Sequence, residues 1–194
     1  FDVEMHFIGG ENPIAFRSDI VSAKLSKQHM YAFLKDFDPT TSRLAKLQVF
    51  RVNDSDFIQL LQSYRKLKEL LFTWQVSNEV LMELQSYPLQ KLILSKITDD
   101  QVDVVCKMIE STAKLESFHV CFFHAAILRA TSTKPLLHTL CIRCCDCDGP
   151  ALAACITNLQ AVKTLRLEDV VVSEDSVSHL IAALPPQLTS IELS

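Results

Sequence analysis

Glycine is nearly absent from this chain: Gly9, Gly10 and Gly149 are the three in 194 residues. Loops that cradle phosphate need closely spaced glycines so that backbone N–H groups can approach the anion. Neither a Walker loop nor a dinucleotide-binding turn can be written in this sequence. Long apolar runs are also missing, since none approaches the roughly 18–20 residues that span a bilayer. The segment 1–10 mixes Asp2, Glu4 and His6 with its apolar residues, so it does not read as a signal peptide. Position 1 is Phe, not Met, which reads as a mature or excised piece. Nor is there an excess of positive charge. With 19 Lys and Arg against 23 Asp and Glu, the net charge of −4 gives no general attraction to nucleic acid or an anionic membrane.

Apolar residues are abundant, at 48%, which excludes a disordered chain and suffices for one sizeable core or one repeat array. The seven cysteines are an odd number, and four crowd between Cys141 and Cys147. Paired cysteines in end caps, expected of a secreted array, are missing, so reduced thiols and a cytoplasmic location are expected. Asn53-Asp54-Ser55 fits a glycosylation acceptor, a pattern short enough to recur by chance.

A self-similarity runs through the chain. Apolar residues at positions one, four and six recur as Ile20-Ala23-Leu25, Leu44-Leu47-Val49, Leu67-Leu70-Phe72 and Leu89-Leu92-Leu94. They continue as Leu115-Phe118-Val120, Leu137-Leu140-Ile142, Val162-Leu165-Leu167 and Leu188-Ile191-Leu193. The first positions, 20, 44, 67, 89, 115, 137, 162 and 188, lie 22 to 26 residues apart. On a strand, positions four and six share the inward face, while three, five and seven point outward. Each strand precedes a stretch suited to a helix. In 173–184, Ser173 can cap, Glu174 and Asp175 fill the first turn, and Val177, Leu180, Ile181 and Leu184 form one apolar face before Pro185 and Pro186. Ile97-Thr98-Asp99-Asp100 before Val102, Val105, Cys106 and Ile109 repeats this logic.

This pattern resembles the leucine-rich repeat superfamily, in its ribonuclease-inhibitor-like class, over about residues 20–194. Leu89-Gln90-Lys91-Leu92-Ile93-Leu94 followed by Ile97-Thr98-Asp99 is similar to that class. The resemblance implies an α/β solenoid, a horseshoe with a parallel concave sheet and convex helices. One departure stands out. Position nine, where the family often places Asn or Cys to bond the loop backbone, holds Val52, Gln75, Ile97, Phe123, Cys145 and Val170, so irregular loops are expected. Residues 1–19 form a separate N-terminal strand or divergent repeat, the strand expected over 1–7. Residues 20–194 form the array, which stops just after a strand motif. A solenoid end needs a cap, so the rest of a parent chain, or else another chain, is expected against it.

Work should fall on the outward positions. Position five reads Lys24, Gln48, Leu71, Ile93, His119, Cys141, Arg166 and Glu192; position seven reads Ser26, Phe50, Thr73, Ser95, Cys121, Arg143, Glu168 and Ser194. Position eight gives Lys27, Arg51, Trp74, Lys96, Phe122, Cys144 and Asp169. Strands about 4.8 Å apart merge these rows into one surface. Phe50, Leu71, Trp74, Ile93 and Phe122 are expected to be exposed at its centre, where aromatic residues favour contact sites; Trp74 and Phe122 could instead fold over the loop edge as satellite core. With Arg143, Arg166 and Glu168 they form the candidate partner-binding set. Lys24, Lys27, Lys46, Arg51, Lys91 and Lys96 make the first half basic, but Glu69 and Glu116 break the stripe, so a protein-facing surface is favoured over one that tracks phosphates.

Cys141-Ile142-Arg143-Cys144-Cys145-Asp146-Cys147 looks at first like a zinc motif. The register puts Cys145 and Cys147 in core positions and Cys141 outward, so these four cannot converge without breaking the strand. His119 and Cys121 beside Cys141 and Cys144 would converge better, yet cysteines here are expected to be small packed side chains, with no metal. No catalytic set emerges either: His179 falls on a helix, and His124 and His138 lie off the outward rows. Asp99-Asp100 and Glu174-Asp175 suit helix first turns.

A non-catalytic recognition module without cofactor is therefore expected, binding a protein or peptide on the concave face, with no membrane partner and no nucleic acid. The resemblance extends to the ligand-sensing or autoinhibitory repeats of intracellular nucleotide-binding, leucine-rich-repeat innate immune receptors. The alternatives are a substrate-recruiting F-box ubiquitin-ligase adaptor, and a regulator of an enzyme or GTPase, as in the ribonuclease inhibitor and Ran GTPase-activating families.

Overall fold

The computed structural model describes residues 3–6, 20–26, 44–50, 54–143, 149–169 and 174–193. Strands β1 (Val3–His6), β2 (Ile20–Ser26), β3 (Lys46–Phe50), β4 (Glu69–Gln75) and β5 (Lys91–Lys96) precede β6 (Ser117–Val120), β7 (Thr139–Arg143), β8 (Thr164–Glu168) and β9 (Ser190–Leu193). Helices α1 (Asp54–Ser63), α2 (Asn78–Leu84), α3 (Val102–Ser111), α4 (Ala125–Ser132), α5 (Gly149–Ile156) and α6 (Glu174–Ala183) alternate with the strands from β3 onward, and a single 3-10 turn (Asp99–Gln101) leads into α3. All nine strands lie parallel in one sheet, in strict chain order.

The expected register is the observed one. Leu47, Leu70, Leu92, Phe118, Leu140, Leu165 and Ile191 are successive partners across the sheet, and so are Val49, Phe72, Leu94, Val120, Ile142, Leu167 and Leu193. From β3 to β8 both rows are buried, and they meet the apolar faces of the helices, Phe57, Leu60 and Leu61 of α1 among them, in one continuous core. Helices about 10 Å across make the helical side longer than a sheet whose strands repeat every 4.8 Å, so the sheet takes the concave side. β1 joins as a ninth strand beside β2, with a register shift between Val3 and Glu4.

A repeated main-chain device holds the strand entries in step. The carbonyls of Ala45, Lys68, Gln90, Glu116, His138 and Lys163 each accept two bonds, from consecutive N–H groups of the next repeat, at 2.7 to 3.1 Å. Sharing one acceptor between two donors leaves neither N–H orphaned where the chain turns into the sheet.

The loop after β4 is bonded by a side chain from outside position nine. Val52, Cys145 and Val170 lie outside the described residues, as do Lys27, Arg51, Cys144, Cys147 and Ser173. In the loop after β4, buried Gln101 reaches back from the next repeat. Its Nε2 donates to the Val76 carbonyl (2.7 Å) and to Asn78 Oδ1 (3.3 Å), and its Oε1 accepts from Thr98 N–H (3.3 Å). Lys134 does similar work at the end of α3, where its Nζ donates to the Glu110 carbonyl at 2.6 Å and so satisfies a terminal acceptor. Burial pulls its pKa below the ordinary lysine range.

Tyr87 ties α1 to the following repeat. Its hydroxyl donates to the Leu61 carbonyl, and the Arg65 guanidinium lies 5.3 Å from its ring centroid. Burial pushes its pKa from 10.0 to about 12, against the Arg65 charge and with that of Glu83. The folded chain therefore keeps a proton that the unfolded chain releases, so this stabilisation is complete below pH 10 and is lost as pH rises through about 12. Tyr87→Phe is expected to lower stability at neutral pH by about 0.5–1.5 kcal/mol, the value of one hydrogen bond, and to flatten the decline above pH 10. Urea midpoints of both proteins from pH 7 to 12 test this; identical slopes above pH 10 would count against it.

Candidate functional site

Position five forms an unbroken row across the concave face: Lys24, Gln48, Leu71, Ile93, His119, Cys141, Arg166 and Glu192 are successive register partners. Side chains at one level on neighbouring strands sit side by side, and the row divides into two chemically different halves.

In the first half, Leu71 and Ile93 form the floor of a pocket of about 140 Å³, walled by Lys24, Lys46, Lys91, Gln48 and Glu69. Three lysines and one glutamate supply the charged groups of its lining. Lys46 Nζ lies 3.9 Å from Glu69 Oε2, a long and exposed ion pair worth little to stability. None of these charged residues belonged to the candidate partner-binding set, although the three lysines stood in the basic stripe and Glu69 in its interruption. They were legible as a column, since Lys46, Glu69 and Lys91 occupy one level on adjacent strands.

The expected apolar patch is only partly in the open. Phe50 is 39% exposed, whereas Leu71, Ile93, Trp74 and Phe122 are half-buried. Trp74 folds over the core edge, edge-to-face against Phe72 (5.4 Å) and Phe57 (6.3 Å). Phe122 packs against the core and stacks on His124 at 6.3 Å. A large ring at the strand end gains more by covering apolar neighbours than by facing water. The surface is thus narrower than the sequence implies, and it centres on Leu71 and Ile93.

In the second half, polar groups pair with one another. Arg143 Nη2 lies 2.7 Å from Glu168 Oε2, and Arg143 Nε lies 3.3 Å from Asp169 Oδ2. Asp169 is placed for this by a left-handed backbone (φ 54°), which a short acidic side chain tolerates. Arg166 Nε lies 2.9 Å from Glu192 Oε2. Arg143 and Arg166 are exposed and Glu168 is half-buried.

Cys141 departs from expectation. It leaves the strand on the outward side, yet it is only 5% exposed, because His119, Arg166 and Glu168 close over it. The donor atoms of His119, Cys141 and Glu168 lie within 4.8 Å of one another, and Cys121 Sγ is 3.9 Å from His119 Nε2. Burial lowers the His119 pKa, raises that of Cys121 and pushes Cys141 up to about 12; the Glu168 charge adds to the last of these. The free thiols of Cys106 and Cys155 are also shifted upward by burial. Thiols held protonated are the opposite of activated nucleophiles.

The crystal structure of a leucine-rich repeat-containing protein from Legionella pneumophila, LegL7, matches this architecture with a TM-score of 0.69, covering 100% of this chain and 73% of that one at 14% identity. The fold is a leucine-rich repeat solenoid. No family model and no curated protein matches the sequence. Among the described residues of this solenoid no helix is long and apolar enough to cross a membrane.

Proposed function

We propose that this solenoid is a non-catalytic protein-recognition module whose concave face takes a protein or peptide segment. The observation that carries the reading is the pocket with Leu71 and Ile93 at its floor and Lys24, Lys46 and Lys91 in its wall. Such a site fits a large apolar side chain next to a carboxylate: the floor takes up the apolar group, and the ammonium groups meet the acid at the rim. Exposed Phe50 and half-buried Trp74 and Phe122 add apolar surface at the strand ends, while Arg143, Arg166 and Glu168 mark the far end of the face. The finer reading is the ligand-sensing or autoinhibitory repeat region of a larger innate immune receptor in the cytoplasm. It is supported by the resemblance of the strand-then-helix repeats to the ribonuclease-inhibitor-like class and by the free thiols of Cys106, Cys121, Cys141 and Cys155.

Selection of a displayed random-peptide library on the immobilised protein tests the module directly. Peptides pairing a large apolar residue with Asp or Glu are expected to be enriched. Ile93→Asp should weaken their binding at least about tenfold, equivalent to 1.4 kcal/mol, because it places a like charge on the floor. Raising salt should weaken binding further. Enrichment without an apolar–acidic preference, or full binding by a folded Ile93→Asp protein, would remove the basis for this site.

A further inference from the structure

The second half of the concave face carries a separate chemistry. His119, Cys141 and Glu168 stand on three consecutive strands, β6, β7 and β8, and their donor atoms lie within 4.8 Å of one another. Cys121, at the end of β6, adds a second sulfur 3.9 Å from His119 Nε2. Nothing in the core requires this convergence, because the inward face of these strands is already filled by Phe118, Val120, Leu140, Ile142, Leu165 and Leu167. The Glu168 carboxylate lies 2.7 Å from Arg143 Nη2 and hydrogen-bonds the Cys141 side chain, so it already bridges the guanidinium and the cluster.

We infer that His119, Cys121, Cys141 and Glu168 form a binding site for one zinc ion on the concave face. One imidazole nitrogen, two sulfurs and one carboxylate oxygen are ligand types that zinc takes in tetrahedral sites. Zinc–ligand bonds of about 2.0–2.3 Å put the ligands of a tetrahedron roughly 3.3–3.8 Å apart, so the His119, Cys141 and Glu168 donors must close in by about 1–1.5 Å. Cys121 Sγ, 3.9 Å from His119 Nε2, must turn toward the other two, and side-chain rotation supplies both movements. His119, Cys121 and Glu168 are half-buried, so the cluster is reached from the concave side although Cys141 lies beneath them. On binding, each thiol passes its proton to solvent and becomes a thiolate. One divalent cation with two thiolates and a carboxylate leaves a single negative charge, and Arg143 already stands beside Glu168 to balance it while remaining paired with Asp169. The sequence alone favoured packed cysteines with no metal; this site differs from the grouping set aside there in having Glu168 in the place of Cys144.

The test is titration of the full chain, stripped of metal, with zinc against a chromophoric chelator, together with the visible spectrum of the cobalt(II)-substituted protein. One equivalent of zinc is expected, with intense d–d bands and a thiolate-to-cobalt charge-transfer band. Cys121→Ser, Cys141→Ser and Glu168→Gln should each weaken zinc at least about tenfold, the low end of what even an outer-shell loss produces. A variant replacing Cys144, Cys145 and Cys147 with serine should bind zinc as the parent does. Melting curves recorded without metal identify any variant that fails to fold, and Glu168→Gln, on a half-buried side chain, keeps the test decisive if a cysteine variant does so. Absence of stoichiometric zinc would overturn the assignment. So would zinc that survives both Cys121→Ser and Glu168→Gln, or that is lost only with the 144–147 cysteines.

Discussion

Phe72→Ala should destabilise the solenoid by about 3–5 kcal/mol, the range for deleting a large buried aromatic side chain. Phe72 is fully buried, and its ring stands edge-to-face between Phe57 of α1, at 5.3 Å, and Trp74 at the strand end, at 5.4 Å. Alanine would remove the transfer energy of the ring and leave a cavity that two neighbouring aromatics, fixed on different elements, cannot fill by small shifts. Whole domains are stable by only about 5–15 kcal/mol, so the loss is a large fraction of the total. Because each repeat touches only its neighbours, damage in β4 should also uncouple the repeats on either side. Urea unfolding followed by circular dichroism should show a lowered midpoint and a broadened or biphasic transition. A destabilisation below about 1 kcal/mol would mean that this cluster is not the centre of the core.

The second large effect is expected at Gln101. Gln101→Leu keeps the approximate volume but removes both polar ends. The Val76 carbonyl loses its 2.7 Å donor, Thr98 N–H loses its acceptor, and Asn78 loses one partner. Each buried group left unmet costs roughly 1–3 kcal/mol, giving about 2–4 kcal/mol for the set. The side chain is 3% exposed, so water cannot step in without opening the loop. Amide exchange should accelerate at Thr98 and through the 3-10 turn, even in native buffer. A variant with unchanged stability and exchange would show that the loop closes by other contacts.

The architecture was legible because one period carries it. Apolar residues at positions four and six of every motif fixed the register, and the rows they predicted are the observed partners from β3 to β9. What lies on the outward face was only half legible. The period says from which side of the strand a side chain leaves, not where a long one comes to rest. Trp74 leaves near the strand end and bends onto Phe57 and Phe72, and Cys141 leaves outward yet disappears beneath its neighbours. Reading down each repeat also hid what adjacency creates. His119 and Cys141 share one level on neighbouring strands, as do Arg143 and Glu168. Columns across the repeats expose both pairs, and with them the lysine-walled pocket. Gln101 was illegible for a different reason: its bonds reach from one repeat into the loop of the repeat before, a connection that no within-repeat pattern contains.

The strict chain order of the sheet has a genetic consequence. None of the described strands is threaded between two that are distant in sequence. Duplicating or deleting one unit of 22 to 26 residues between equivalent positions therefore joins like to like, and no existing strand must be rewired. Such an event would insert or remove a whole column of concave side chains at once. The lysine-walled pocket and the His119–Cys141–Glu168 cluster both span adjacent columns, so recombination between β4 and β5, or between β7 and β8, would split one of them while leaving the fold intact.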